Sequence, residues 1–179
     1  MKKHNGPKKL LVTGGHVTPA LALMEAAKER HPDWNILFVG RTHALSGESV
    51  ESVEQQIVES EGYRFLPLTA GRLTRLWSLQ TLWSLTKAPV GFFQAFVYCL
   101  REKPDAIVSF GGYVALPVVL SGWVLGIPSI THEQTFAPGL ANRIIGRVAV
   151  KICVTFKDVV DLFPKEKTVV TGLPVRRGF

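Results

Sequence analysis

Cysteine is scarce: two residues, Cys99 and Cys153, in 179. Each lies inside an apolar run, which argues against a disulfide framework or a cysteine metal centre and makes a reducing cytoplasm the default compartment. Acid is also in short supply, with 14 Asp and Glu against 21 Lys and Arg and a formal net charge of +7. That balance calls for an anionic partner, whether nucleic acid, an acidic membrane surface or a phosphorylated substrate. No secretory leader is visible. Met1-Lys2-Lys3-His4-Asn5-Gly6-Pro7 is basic, but the apolar stretch behind it is short and ends in glycines, as a strand does. The one long uncharged stretch, Ala106 to Thr131, is broken by Gly111, Gly112, Pro117, Gly122, Gly126 and Pro128, and so reads as buried core and not as a membrane span. No segment is of low complexity.

What is present is an alternation of short aliphatic runs with helical patterns. Strands are expected at Lys9–Thr13, Asn35–Gly40, Arg64–Leu68, Asp105–Ser109, Ile127–Thr131, Val150–Val154 and Thr168–Thr171. Between them lie helical stretches: one capped by Thr18 with Pro19 at its first position, a polar helix Ser49–Glu61, a long region Leu76–Glu102 interrupted at Pro89, then Tyr113–Leu125 and Pro138–Gly146. Such alternation predicts an α/β fold with a doubly wound parallel sheet, whose ligands sit at the carboxyl ends of the strands. A hydrophobic content of 46% with 20% charged residues suits a globular core in a large single domain or a tight pair.

One device occurs twice. Leu10-Leu11-Val12-Thr13 runs into Gly14-Gly15-His16-Val17, and Ile107-Val108-Ser109-Phe110 runs into Gly111-Gly112-Tyr113-Val114. A glycine pair between strand and helix lets the backbone approach a ligand and leaves the first helical N–H groups pointing outward, which predicts an anion such as a phosphate or pyrophosphate. The dinucleotide fingerprint needs three spaced glycines and an acid after the second strand, whereas these glycines are adjacent and the strand ends Gly40-Arg41. A P-loop needs a lysine and a hydroxyl residue after the glycines, and neither is there. His16, where the first helix begins, is placed to be a neutral proton acceptor or else a structural histidine bonded to a carbonyl. Tyr113 offers a phenol to a phosphate or sugar hydroxyl, or an ordinary packed ring. A third polar strand end, Ile130-Thr131-His132-Glu133-Gln134-Thr135, adds groups to the same edge without metal-ligand spacing.

Arg72, Leu73, Arg75, Leu76, Trp77, Trp83, Lys87, Phe92, Phe93 and Arg101 combine rings with cations, as an interfacial helix does, or a core helix with snorkelling basic residues. The rings are not interleaved in a basic sheet face, which disfavours nucleic acid.

Five motifs in register, Gly14-Gly15-His16-Val17-Thr18-Pro19-Ala20-Leu21-Ala22, Phe110-Gly111-Gly112-Tyr113-Val114, Gly126-Ile127-Pro128, His132-Glu133-Gln134 and Thr171-Gly172-Leu173-Pro174-Val175-Arg176, resemble the N-terminal half of the MurG-type UDP-N-acetylglucosamine transferases of glycosyltransferase family 28. The resemblance implies a GT-B architecture of two Rossmann-like domains. Residues 1–172 would be the acceptor-binding domain and 173–179 the start of an interdomain linker, with the second, nucleotide-sugar domain absent from these residues and little turnover expected without it or a partner that supplies it. The implied reaction is inverting and independent of metal and cofactor. It moves N-acetylglucosamine from UDP-N-acetylglucosamine to a lipid-pyrophosphate-linked sugar in peptidoglycan (lipid II) synthesis, at the cytoplasmic face of a bacterial plasma membrane, on a peripheral protein docked on anionic lipid.

Carried onto this sequence, the resemblance makes His16 and Glu133 the catalytic residues. Thr13, Gly14, Gly15, Gly111, Gly112, Tyr113, His132, Gln134 and Thr135 would bind the acceptor, with Thr135 standing where the family usually has asparagine. Arg72, Leu73, Arg75, Leu76, Trp77, Trp83, Phe92 and Phe93 would form the membrane patch. The alternatives are a non-catalytic membrane adaptor that recruits a separate nucleotide-sugar subunit, a related transferase with another glycan acceptor, and a dinucleotide-dependent oxidoreductase, the last disfavoured by Arg41.

Overall fold

Each of the seven aliphatic runs becomes a parallel strand of one sheet. The computed structural model describes residues 8–41, 52–69 and 79–176, with residues 79–88 described by their backbone. The strands are β1 (Lys9–Thr13), β2 (Asn35–Arg41), β3 (Arg64–Leu68), β4 (Ala106–Ser109), β5 (Ser129–Glu133), β6 (Lys151–Val154) and β7 (Thr168–Val170). They lie in the order β3-β2-β1-β4-β5-β6-β7, every neighbouring pair parallel. The connecting helices are α1 (Val17–Arg30), α2 (Val53–Ser60), α3 (Leu79–Glu102), α4 (Gly112–Val124) and α5 (Leu140–Val148).

The sheet is apolar on both faces because helices cover both. Leu10, Val12, Ile36, Phe38, Phe65 and Val108 pack against Ala20, Leu21 and Met24 of α1 and Val58 of α2. Alternate residues of the same strands, Leu11, Leu37, Val39, Leu66 and Ile107, face Ala95 and Cys99 of α3 and Val114, Ala115, Val118 and Val119 of α4. Burial in this core pushes the Cys99 thiol up to about 11, so it is a packing group and not a nucleophile. At the opposite end from the glycine loops, Glu102 accepts from Lys9 and Arg64, each at 2.9 Å, tying the end of α3 to β1 and β3.

Strand order reverses between β1 and β4, which makes their carboxyl ends the crevice where a doubly wound sheet takes its ligand. The two Gly-Gly loops are the residues that follow these two strands.

Four local expectations change. Helix α1 starts at Val17 with His16 in the cap position, not at Thr18, and Pro19 is tolerated because it still falls in the first turn, whose N–H groups have no helical partner. Helix α3 runs unbroken for 24 residues through Pro89, losing one backbone bond while Ala95 and Cys99 anchor its later turns in the core. Strand β5 lies two residues later than expected: the turn at Gly126 (φ +72°) and Pro128 precede it, and pairing with β6 continues through His132 and Glu133. Helix α5 is likewise displaced, from Pro138–Gly146 to Leu140–Val148. Two short 3-10 turns, Lys157–Leu162 and Lys165–Lys167, lead into β7 and carry no helical periodicity that would reveal them.

Candidate active site

The loops after β1 and β4 are bonded to each other. Phe110 N–H donates to the Thr13 carbonyl at 2.7 Å, and Gly15 N–H donates to the Gly111 carbonyl at 3.2 Å. Gly14 (φ +155°) lies so close to Phe110 that a Cβ would stand 2.7 Å from the Phe110 Cβ. Gly111 (φ +71°) holds a left-handed conformation, and a Cβ there would stand 2.6 Å from the Asn142 amide nitrogen. The expectation that the N–H groups of the second glycine pair point outward is corrected here. Gly111 N–H donates to Ser109 Oγ at 3.0 Å and Gly112 N–H to Asn142 Oδ1 at 2.7 Å, because Gly111 turns the chain back onto its own strand and onto α5.

Glu133 ends β5 with its side chain buried, 3% exposed. Its Oε1 accepts from Thr135 N at 2.9 Å and from Thr135 Oγ1 at 2.7 Å, and its Oε2 accepts from Asn142 Nδ2 at 2.5 Å. The carboxylate thus holds Asn142, and Asn142 holds the start of α4. Thr135, exposed at the loop surface, directs its hydroxyl to Glu133.

His132, one residue earlier, is 5% exposed. Its Nε2 meets the Gly172 carbonyl at 3.0 Å and its ring tilts against Phe110 at 5.7 Å, so it joins β5 to the segment leaving β7. Burial holds this imidazole below its ordinary value, against the opposing influence of the Gly172 carbonyl and the Glu133 charge.

His16 is exposed at the cap of α1, where its side chain makes no capping bond. Together with Gly15, Thr18, Glu54 and Gln134 it lines a cavity of about 540 Å³, closed on another side by Leu173, Pro174, Val175 and Arg176. Arg176 is pinned there by Glu25 at 2.5 Å and Glu61 at 2.8 Å. Segment 173–176, expected as the opening of a linker, therefore lies across the carboxyl edge of the sheet and forms a wall of the cavity. Glu54 is raised above the usual carboxylate range by burial, with the nearby Arg41 charge opposing the shift.

Tyr113, half-buried at the start of α4, accepts a hydrogen bond from Arg41 Nη1 at 2.7 Å. The site thus brings together Thr13, Gly14, Gly15, His16, Gly111, Gly112, Tyr113 and Gln134 at one edge, with His132, Glu133 and Thr135 behind it. Sequence reasoning missed Asn142, Glu54 and Arg176. Arg41 served there only as an argument against a dinucleotide, although a cation at the last position of β2 was itself a signal for an anion at the crevice. Of the residues expected to form a membrane patch, Phe92 and Phe93 are exposed on α3, 37% and 69%. Arg72, Leu73, Arg75, Leu76 and Trp77 and the side chain of Trp83 lie outside the described residues. Among the described residues no helix is long and apolar enough to cross a membrane.

Comparison with known proteins matches residues 13–154 to the glycosyltransferase family 28 N-terminal domain. The UDP-N-acetylglucosamine--N-acetylmuramyl-(pentapeptide) pyrophosphoryl-undecaprenol N-acetylglucosamine transferase of Clostridium botulinum (strain Langeland) is 38% identical over 174 residues, 95% of this chain and 46% of its own length. A Bacillus cereus (strain ATCC 10987) transferase of the same name, numbered 2, is 38% identical over 173 residues, 94% of this chain and 46% of its own. The chain thus spans about half the length of the curated relatives it matches. The crystal structure of Acinetobacter baumannii MurG aligns with a TM-score of 0.72 at 26% identity, over 92% of this chain and 45% of that one. The Staphylococcus aureus MnaA–UDP structure aligns over 94% and 45% with a TM-score of 0.64, and its 14% identity speaks to fold alone.

Proposed function

Because the chain belongs to the glycosyltransferase family 28 N-terminal domain family, we propose that it is the acceptor-binding half of an inverting, metal-independent transferase. Such an enzyme adds N-acetylglucosamine to a lipid-pyrophosphate-linked sugar in peptidoglycan synthesis. The observation that carries the reading is the 38% identity, spread over 95% of the chain, to transferases named for that reaction. The exposed His16 in a cavity at the switch point is the chemistry that agrees with it.

In this reading the acceptor hydroxyl attacks the anomeric carbon of UDP-N-acetylglucosamine from the face opposite the diphosphate. The bond to the diphosphate breaks, UDP leaves with the electron pair, and His16 takes the hydroxyl proton. Among the described residues the His16 ring has no hydrogen-bond partner, which favours a role toward a ligand over the structural one. Gly14, Gly15, Gly111 and Gly112 keep the crevice floor free of side chains so that the acceptor pyrophosphate can come close, and Gln134 lines the acceptor cavity. His132, Glu133 and Thr135 act on the acceptor through the loop they hold, since His132 Nε2 is turned to Gly172, and Glu133 to Asn142 and Thr135.

The donor would be held mainly by a second, nucleotide-sugar-binding domain or subunit. The protein would work as a peripheral protein at the cytoplasmic face of a bacterial plasma membrane, with the exposed Phe92 and Phe93 among the rings that enter the lipid boundary. Nucleic acid has no part in this reading. Flotation with vesicles tests it. Binding is expected to vesicles of anionic lipid and to rise when a polyprenyl pyrophosphate is included, and equal indifference to both would sink the proposal.

A further inference from the structure

The glycine loops present a crevice for an anion but spend three of their own amides internally. Gly15, Gly111 and Gly112 N–H groups all donate to internal acceptors. Besides the first amides of α1, which no side chain caps, the same edge offers a fixed cation. Arg41 is the last residue of β2, beside the switch point, and lies half-buried with its Nε shielded from solvent and without a partner. No carboxylate among the described residues is in ion-pair contact with it. Glu54 is close enough for its charge to be felt, yet one oxygen of that carboxyl is buried without a partner too.

Arg41 is also held in place. Ser52, the cap residue of α2, donates its hydroxyl to the Arg41 carbonyl at 2.6 Å while accepting from Gln55 N at 3.2 Å. Its Nη1 donates to Tyr113 Oη, which leaves the phenol proton free to donate outward. Tyr113 directly follows Gly112, whose missing Cβ would lie 3.7 Å from Gly15 N, so the pair stands next to both glycine loops and, through Glu54, next to the cavity wall.

From this arrangement we infer that Arg41 and Tyr113 together are the pyrophosphate-binding pair of the site, the guanidinium supplying charge and the phenol a directed hydrogen bond. The inference rests on the acceptor-binding reading above. The anion it assigns to the pair is the acceptor's pyrophosphate and not that of the nucleotide donor. A guanidinium fork with unspent donors suits two non-bridging phosphate oxygens better than an ammonium would.

The test is calorimetric titration of the 179-residue chain with inorganic pyrophosphate, farnesyl pyrophosphate and UDP, for the wild type and for Arg41→Gln, Arg41→Lys and Tyr113→Phe. Arg41→Gln is expected to weaken both pyrophosphates by about ten- to a hundredfold, the range of a charged hydrogen bond, and Tyr113→Phe by severalfold. Arg41→Lys keeps the charge and falls between, and it carries the test if Arg41→Gln lowers the melting temperature. UDP affinity is expected to be indifferent to all three. Undiminished pyrophosphate binding by both Arg41 variants overturns the inference and leaves the acceptor reading standing. Arg41-dependent binding of UDP alone assigns the pair to the donor and overturns it as well. A wild type that binds none of the three ligands refutes both.

Discussion

Replacing Asn142 by alanine removes a side chain that links Glu133 of β5 to the start of α4. Its Oδ1 accepts from Gly112 N at 2.7 Å and its Nδ2 donates to Glu133 Oε2, and Glu133 is 3% exposed. The first bond is neutral, with a net value of about 1 kcal/mol, and the second involves a carboxylate, with about 1.5–3 kcal/mol. Their joint loss should cost about 2.5–4 kcal/mol, a sizeable part of the roughly 5–15 kcal/mol that holds a domain folded. At about 2–4 °C per kcal/mol for a domain of this size, the melting temperature should fall by roughly 5–16 °C.

The companion variant Glu133→Gln separates polarity from volume. Gln can accept at one oxygen only, so its NH2 must face either the Asn142 NH2 or the Thr135 N–H, a donor against a donor in both orientations. A loss of about 1–3 kcal/mol is expected although the shape is unchanged. Thermal melts give the sum, and hydrogen exchange at Gly112 N–H, which should lose protection in both variants, gives the location. An Asn142→Ala protein that melts within 2 °C of wild type (roughly 1 kcal/mol or less) would refute the claim that this relay carries load.

Three further outcomes are expected. Gly111→Ala meets both a positive φ of +71° and the Asn142 side chain, and should cost about 2 kcal/mol or more in urea denaturation. His132 is held neutral by burial, so the unfolded chain binds more protons below its ordinary value of 6.5. Stability should therefore be complete above about pH 6.5 and decline as the pH falls from there toward the lower folded value, and His132→Gln should flatten the fall of the urea midpoint between pH 7.5 and 5.5. Arg176→Ala should speed limited proteolysis within residues 171–176 while leaving the global melt little changed, since its two partners are themselves partly exposed.

The sheet was legible in the sequence because both of its faces are covered. Runs such as Ile36-Leu37-Phe38-Val39 stay apolar at every position, and the glycines and prolines between runs mark the turns. Boundaries were less legible where pairing outvotes local preference. His132 and Glu133 look like loop residues, yet β6 pairs with them and draws both into β5. Pro89 looks like a break, yet the helix runs through it, with Ala95 and Cys99 buried in the core beyond it. Of the site, His16 and the glycine pairs could be read from their place after strands. Asn142 could not, because a single polar residue in the helical pattern of α5 looks like any solvent-facing one. Only the fold shows that Gly111 and Gly112 lie against it.

The bonds between the two glycine loops bear on how this edge of the sheet can change. With Phe110 N–H on the Thr13 carbonyl, Gly15 N–H on the Gly111 carbonyl, and Gly14 pressed against Phe110, the strand ends on either side of the switch point form one stiff plate. A ligand that pushes on the His16 side is therefore expected to move the Tyr113 side as well. Lengthening or shortening either loop by a residue is expected to move its carbonyl out of reach of the other's amide.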